Sequence, residues 1–338
     1  MNLQALFENP DLFLHSFDEA DAVFLEMDRD AYLRSIFTDR RISPKTANQH
    51  RVRCADLFAR MESIQPAPVS YIFHIAHCGS TLLARALDLK DENLVCREPF
   101  SLRQLGVKAA RGEEAAQLVR LARTMLGRRY NSAGPVIVKA NVPVNFMIQA
   151  LMDPAPDQRA IFLYYALDDY LLAILRSAMH RGWVQHVSNE LQPGIEVLTG
   201  PRGADESVAV MAARLWLTQM LQFQQALAAY PNARSLCAED LFESASATLA
   251  ASFSHFAPPQ SAETIEAIVR SELFSRYSKD PKHQFDNAQR VERRGKLKVE
   301  LAAELSEARA WVMRQPAARQ LPQRLAKPLT GDGAVLLG

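Results

Sequence analysis

The chain has 338 residues, room for one large domain or two modest ones, and its 48% hydrophobic and 23% charged content is that of a water-soluble globular protein. A formal net charge of +1 argues against binding nucleic acid through a bulk field, and no apolar run reaches the roughly 18 residues a membrane span needs. Four scattered cysteines (Cys54, Cys78, Cys96 and Cys237) form no CxxC pair, which points away from zinc and disulfides and towards a reducing compartment. The acidic N-terminus lacks the basic leader of a secretory signal, so a cytoplasmic location is expected.

In chain order, residues 1–66 read as a helical cap, with an irregular apolar face through Phe13, Phe17, Val23, Phe24 and Met27. Its basic patch (Arg40, Arg41, Lys45 and Arg51) reads as a solvated face, and Pro66 and Pro68 end the segment. Val69 to Ala76 then has the β-branched and aromatic content of a buried strand. His77, Cys78, Gly79, Ser80 and Thr81 make a tight loop, and Leu82, Leu83, Ala86 and Leu87 recur at helical spacing. A strand, a short loop and a helix start gather main-chain N–H groups around one point and favour an anion there. The loop lacks the Lys of a Walker A motif, and the bland reading of Ser80 or Thr81 is a helix cap.

Further strands are expected at Asn93–Cys96, ending at Arg97-Glu98-Pro99, at Pro135–Val138, ending at Lys139, at Ile161–Leu167, ending at Asp168-Asp169, and at Ala233–Cys237. Helices are expected at about 101–129, after Asp169, at Val208–Tyr230, at Leu249–Phe256 and at Val299–Met313. Residues 188–207 read as a turn-rich loop or lid, 276–298 as a polar segment with eight Lys or Arg, and 316–338 as a tail. Short apolar strands alternating with helices imply an α/β fold with a parallel sheet, whose ligand site lies at the C-terminal strand ends. His77 to Thr81, Glu98, Lys139 and Asp168 all fall at such ends.

The stretch His77-Cys78-Gly79-Ser80-Thr81-Leu82-Leu83-Ala84-Arg85-Ala86-Leu87-Asp88, with Arg97-Glu98-Pro99, Trp216 and Ala238-Glu239-Asp240-Leu241, resembles the P-loop-like sulfotransferases that use 3′-phosphoadenosine-5′-phosphosulfate (PAPS). The bacterial and tyrosylprotein-type branches look nearest, and the resemblance covers about residues 69–256. It implies a three-layer fold with a central, mostly parallel sheet flanked by helices, here as a core over 67–315. It implies PAPS as donor, no metal, and a small-molecule or peptide acceptor bearing a hydroxyl or amine. His77, Cys78, Gly79, Ser80, Thr81 and Leu82 would hold the 5′-phosphosulfate, Glu98 would be the general base, and Lys139 and His77 would reach the sulfuryl oxygens.

The match departs from the family at His77, where Lys or Arg is usual, and at Tyr165, Asp169 and Ala173, where the family's Arg-Asp-Ser set would stand. Arg176 and Ser177 are the candidate replacements for the 3′-phosphate contacts, and Arg293, Arg294 and Gly295 the candidate late basic loop. Two other readings stand beside this one. A P-loop kinase using ATP and magnesium would employ Asp168 as its metal aspartate. A non-catalytic relative would bind nucleotide or a partner protein without chemistry.

Overall fold

The computed structural model describes residues 3–131, 134–152, 158–256, 258–276 and 287–337. The expected turn at Ser132-Ala133-Gly134-Pro135 and the expected polar segment 276–298 fall partly outside these residues, at 132–133 and 277–286.

Three strands form a small antiparallel sheet, β1 (Leu12–Asp18), β2 (Asp21–Glu26) and β3 (Gln49–Arg53). Five form the central sheet, β4 (Ser70–His74), β5 (Leu94–Arg97), β6 (Val136–Lys139), β7 (Ala160–Tyr164) and β8 (Ala233–Cys237). The central order is β5-β6-β4-β7-β8, and every pairing is parallel. This is the α/β fold with a helix-flanked parallel sheet that the alternation of strands and helices implies. The chain leaves β4 towards one edge and later returns to its other side. The switch in strand order therefore lies at the C-terminal end of β4.

All five residues of β4 and of β7 are buried. Rings continue the packing across the sheet, from Tyr71 to Phe73 (5.4 Å), Phe73 to Phe162 (5.2 Å) and Phe162 to Phe223 on the Val208–Ala229 helix (5.0 Å). Trp216 of that helix is fully buried, and its indole N–H donates to the Tyr165 carbonyl at 2.9 Å, which keeps its one polar atom satisfied.

The N-terminal segment corrects an expectation. It is not a purely helical cap: the β1–β3 sheet shares it with three short helices, Leu3–Glu8, Arg29–Arg34 and Cys54–Met61. Its Leu, Glu and Ala residues are overruled by strand pairing, local in the β1–β2 hairpin and longer-range where β3 joins β2 across an intervening segment. The segment is anchored to the central sheet by Arg97. That side chain is 1% exposed, pairs with buried Asp88, and donates to the Ser35 carbonyl (2.7 Å) and the Leu33 carbonyl (3.3 Å). Arg29 closes the cluster from the other side at 2.5 Å from Asp88. The Thr38 N–H and hydroxyl both donate to the Arg97 carbonyl, covering the β5 edge.

Two further stretches differ from expectation. Residues 188–207 contain the end of the Ala178–Glu190 helix and the whole Gln192–Thr199 helix, whose Pro193 sits in the first turn, where it interrupts no bond. Residues 326–329 of the expected tail run beside Ser235 of β8, whose N–H donates to Lys327 O (2.9 Å) and whose carbonyl accepts from Leu329 N–H (2.7 Å). The Lys327 ammonium donates to the Leu227 and Tyr230 carbonyls at the end of the long helix.

His255 gives the fold a predictable acid response. Burial first, then nearby Arg234, lowers its pKa to about 4, while a contact with the Ala160 carbonyl works the other way. Its folded value lies below the unfolded 6.5, so the unfolded chain binds the proton more readily and stability falls as pH drops from about 6.5 to 4. Urea midpoints measured across that range should decline, and less steeply in His255→Gln.

Candidate functional site

At the end of β4 the chain turns through residues 75–79 into the Ser80–Ala86 helix. Two residues of the turn are left-handed, His77 (φ 59°) and Gly79 (φ 83°). At Gly79 only glycine suits both the angle and the space, because a Cβ would come 2.8 Å from the Phe242 ring. Cys78 is fully buried and its thiol donates to the Ile75 carbonyl at 2.8 Å, so it shapes the turn rather than facing a ligand. Ser80 and Thr81 are buried, and the Thr81 hydroxyl has no hydrogen-bond partner among the described residues. A buried hydroxyl of this kind is costly unless something else meets it.

Glu98 follows β5 and is also left-handed (φ 59°). Its N–H donates to the Lys139 carbonyl at 2.7 Å, and Arg97 and Lys139 are register partners in the parallel pairing. Its carboxylate pairs with the Lys139 ammonium, which is wholly buried, and lies 3.8 Å from Arg41. The Phe37 ring sits between the cations, with Arg41 at 3.7 Å and Lys139 at 5.8 Å from its centroid. Burial opposes the Arg41 charge, but Asp39 and Glu98 outweigh it and raise its pKa. Lys139 is the nearest cation to the Glu98 carboxylate among the ion pairs of the described residues. Arg97 turns away to Asp88, and Arg103 pairs with Glu190 at 2.5 Å.

Four non-glycine residues have left-handed backbone among those described, and two of them are His77 and Glu98. Such conformations persist where the surroundings enforce them, and they concentrate at functional sites.

The His77 ring lies 4.3 Å from His180 and 5.9 Å from Trp183, both on the Ala178–Glu190 helix. His180 accepts from Arg176 at its Nε2 (2.9 Å), which leaves its proton at Nδ1, facing the Ser177 hydroxyl at 2.6 Å. Ser177 also caps the helix, its hydroxyl accepting from the His180 N–H. The structure therefore brings Arg176 and Ser177 to the loop, but both are engaged with His180.

Arg293, Arg294 and Gly295 lie inside the Asn287–Glu300 helix, not in a loop. Arg293 and Gly295 are exposed. Arg294 pairs with Asp169 and with Glu239 (2.5 Å), while Arg290 grips Glu239 at 2.8 and 2.9 Å and covers the Phe242 ring. Burial works against the Arg294 charge, but Asp169 and Glu239 hold its pKa above the ordinary guanidinium value. Because Phe242 touches Gly79, this helix stands beside the loop. Asp168, the candidate metal aspartate, is bonded to Arg309 at 2.5 Å and sits in the first turn of the Leu167–Ile174 helix. No group of three or more His, Cys, Asp or Glu that could hold a metal ion occurs among the described residues. Among them no helix is long and apolar enough to cross a membrane.

Sequence reasoning missed Arg41, His180 and Trp183. Nothing in their local spacing marks them; only the fold brings them to His77 and Glu98.

Fold and site together define an α/β protein whose charged and polar side chains gather at the C-terminal edge of a parallel sheet. No family model matches the chain, and no curated protein is similar to it in sequence. Among solved structures, it is similar to a sulfotransferase domain from the curacin biosynthetic pathway, over 71% of this chain and 99% of that one. The TM-score is 0.39 and the identity 12%, and a likeness so distant carries no argument about function.

Proposed function

We propose that the chain is a sulfotransferase that moves a sulfuryl group from PAPS to a hydroxyl or amine of a small molecule or peptide. The observation that carries this reading is the Glu98–Lys139 pair at the ends of adjacent strands, with the 77–81 loop on the next strand. The fit to the donor's 5′ end rests on Gly79, which leaves room for close approach, and on the buried Thr81 hydroxyl, which has no partner among the described residues.

The donor, when bound, supplies the sulfuryl group to be transferred. Backbone N–H groups of residues 77–82 and the Ser80 and Thr81 hydroxyls would hold its anionic 5′ end, with His77 as a further donor. Glu98 takes the proton from the acceptor oxygen or nitrogen as that atom bonds to sulfur and the sulfur–oxygen bond to the 5′-phosphate breaks. Lys139 orients the Glu98 carboxylate and would offset negative charge on the sulfuryl oxygens. The 3′-phosphate would fall to Arg176 with Ser177, or to Arg294. Each of these would exchange a present partner for the phosphate.

Calorimetric titration tests the reading. Adenosine 3′,5′-bisphosphate should bind more tightly than ATP with magnesium. Preference for ATP and magnesium would replace this reading with a kinase. Bisphosphate binding without turnover on any acceptor would leave a non-catalytic relative.

A further inference from the structure

The four basic residues of the N-terminal patch do not share one fate. Lys45 lies 3.8 Å from Asp28, and Arg51 bridges to Asp18 (2.7 Å) and Asp21 (3.3 Å). Arg41 is held by Asp39 at 2.5 Å and borders Glu98. Arg40 alone of the four has no carboxylate within bridging distance among the described residues. Its guanidinium is exposed and lies 4.7 Å from the centroid of Phe100, two residues past Glu98.

The neighbours hold it there. His15 sits against the other partner of this contact, its ring 5.6 Å from Phe100, and its Nε2 faces the Asp39 carbonyl at 3.3 Å. Burial, and to a smaller degree Arg40 itself, lower the His15 pKa, so His15 adds little positive charge of its own near pH 7. A guanidinium stacked on a ring is oriented, and it keeps its in-plane N–H donors for a planar or tetrahedral anion. Solvation alone explains Lys45 and Arg51, which are exposed and already neutralised. It does not explain why the one guanidinium of the four without a carboxylate rests on Phe100, two residues past Glu98, next in sequence to Arg41, which lies 3.8 Å from Glu98.

We infer that this rim selects an acceptor carrying a negative charge, a carboxylate, phosphate or sulfate, and that Arg40 is the group that pairs with it while the acceptor's nucleophile faces Glu98. The inference rests on the transfer reading above and names its substrate class. Arg40 is a specificity residue and takes no part in the bond changes.

The test uses the full chain with adenosine 3′,5′-bisphosphate present and two probes of one shape, 4-hydroxyphenylacetate and its neutral amide. Binding is followed by ligand-observed NMR titration, and turnover with PAPS is measured alongside. The acid should bind at least about tenfold more tightly than the amide, an effect of the size expected for a charge-assisted hydrogen bond. Arg40→Ala should abolish that preference and Arg40→Lys should retain part of it, with the amide's affinity unchanged in both. Equal affinities, no binding of either probe, or a preference that survives Arg40→Ala would overturn the inference. If the preference behaves as expected but the bisphosphate does not bind and neither probe is sulfated, the anion site stands and the transfer reading fails.

Discussion

Glu98→Gln should lower turnover by about 10²- to 10⁴-fold, the usual contribution of a positioned general base. Binding of adenosine 3′,5′-bisphosphate should change little, because the 77–81 loop lies on a different strand and makes its own contacts. The substitution keeps the side chain's shape and an oxygen that can face Lys139, so geometry is preserved while the proton acceptor is lost. It also removes the counter-charge of a wholly buried ammonium. A loss of stability of about 1–3 kcal/mol is therefore expected too, and urea unfolding must be run beside the assay. Glu98→Asp serves as the second variant, retaining charge with a shorter reach. Unchanged turnover in a folded Glu98→Gln protein would remove Glu98 from the chemistry.

The largest effect on folding is expected at Asp88. Its carboxylate lies between Arg29 and Arg97, and Arg97 is almost inaccessible to water. Asp88→Ala leaves two guanidiniums facing each other with no anion between them, and breaking a buried pair in this way costs about 3–5 kcal/mol. Replacing Arg97 with Met in the same chain should recover part of the loss, because the uncompensated charge is then gone. Chemical denaturation of the two variants checks both statements. A loss below about 1 kcal/mol for Asp88→Ala would mean that the carbonyls of Tyr32, Leu33 and Ser35 satisfy Arg97 unaided.

The strands β4 to β7 were legible because each is a short, mainly apolar run, the pattern of a strand buried on both faces, although β7 stops at Tyr164, short of the expected end at Asp168. The residues at their ends were legible for the same reason: His77, Glu98 and Lys139 are where apolar character stops. The N-terminal strands were not, because the β1–β2 hairpin turns at Glu19-Ala20 without the Asn-Gly or Gly signal of a two-residue turn, and β3 joins β2 only after a long intervening segment. The Gln192–Thr199 helix hid behind its proline and glycine, and the Asn287–Glu300 helix behind its charge. In the latter, only Leu297 is buried, and Arg290 and Arg294 face acids that no local pattern reveals. The Arg41 and His180 contacts depend on segments meeting across the fold, so spacing along the chain could not disclose them.

Arg97 and Glu98 are consecutive, yet one fastens the N-terminal segment through the Tyr32, Leu33 and Ser35 carbonyls and the other pairs with Lys139, where the proposed transfer would place the acceptor. The N-terminal segment, residues 1–66, is thus no exchangeable cassette. Grafting a different leading segment onto the core would strip Arg97 of its carbonyl partners and release the peptide that fixes Glu98 in its left-handed turn. Recombination breakpoints near residue 66 should therefore yield hybrids that fold poorly or lose activity unless the 29–41 stretch travels with the core.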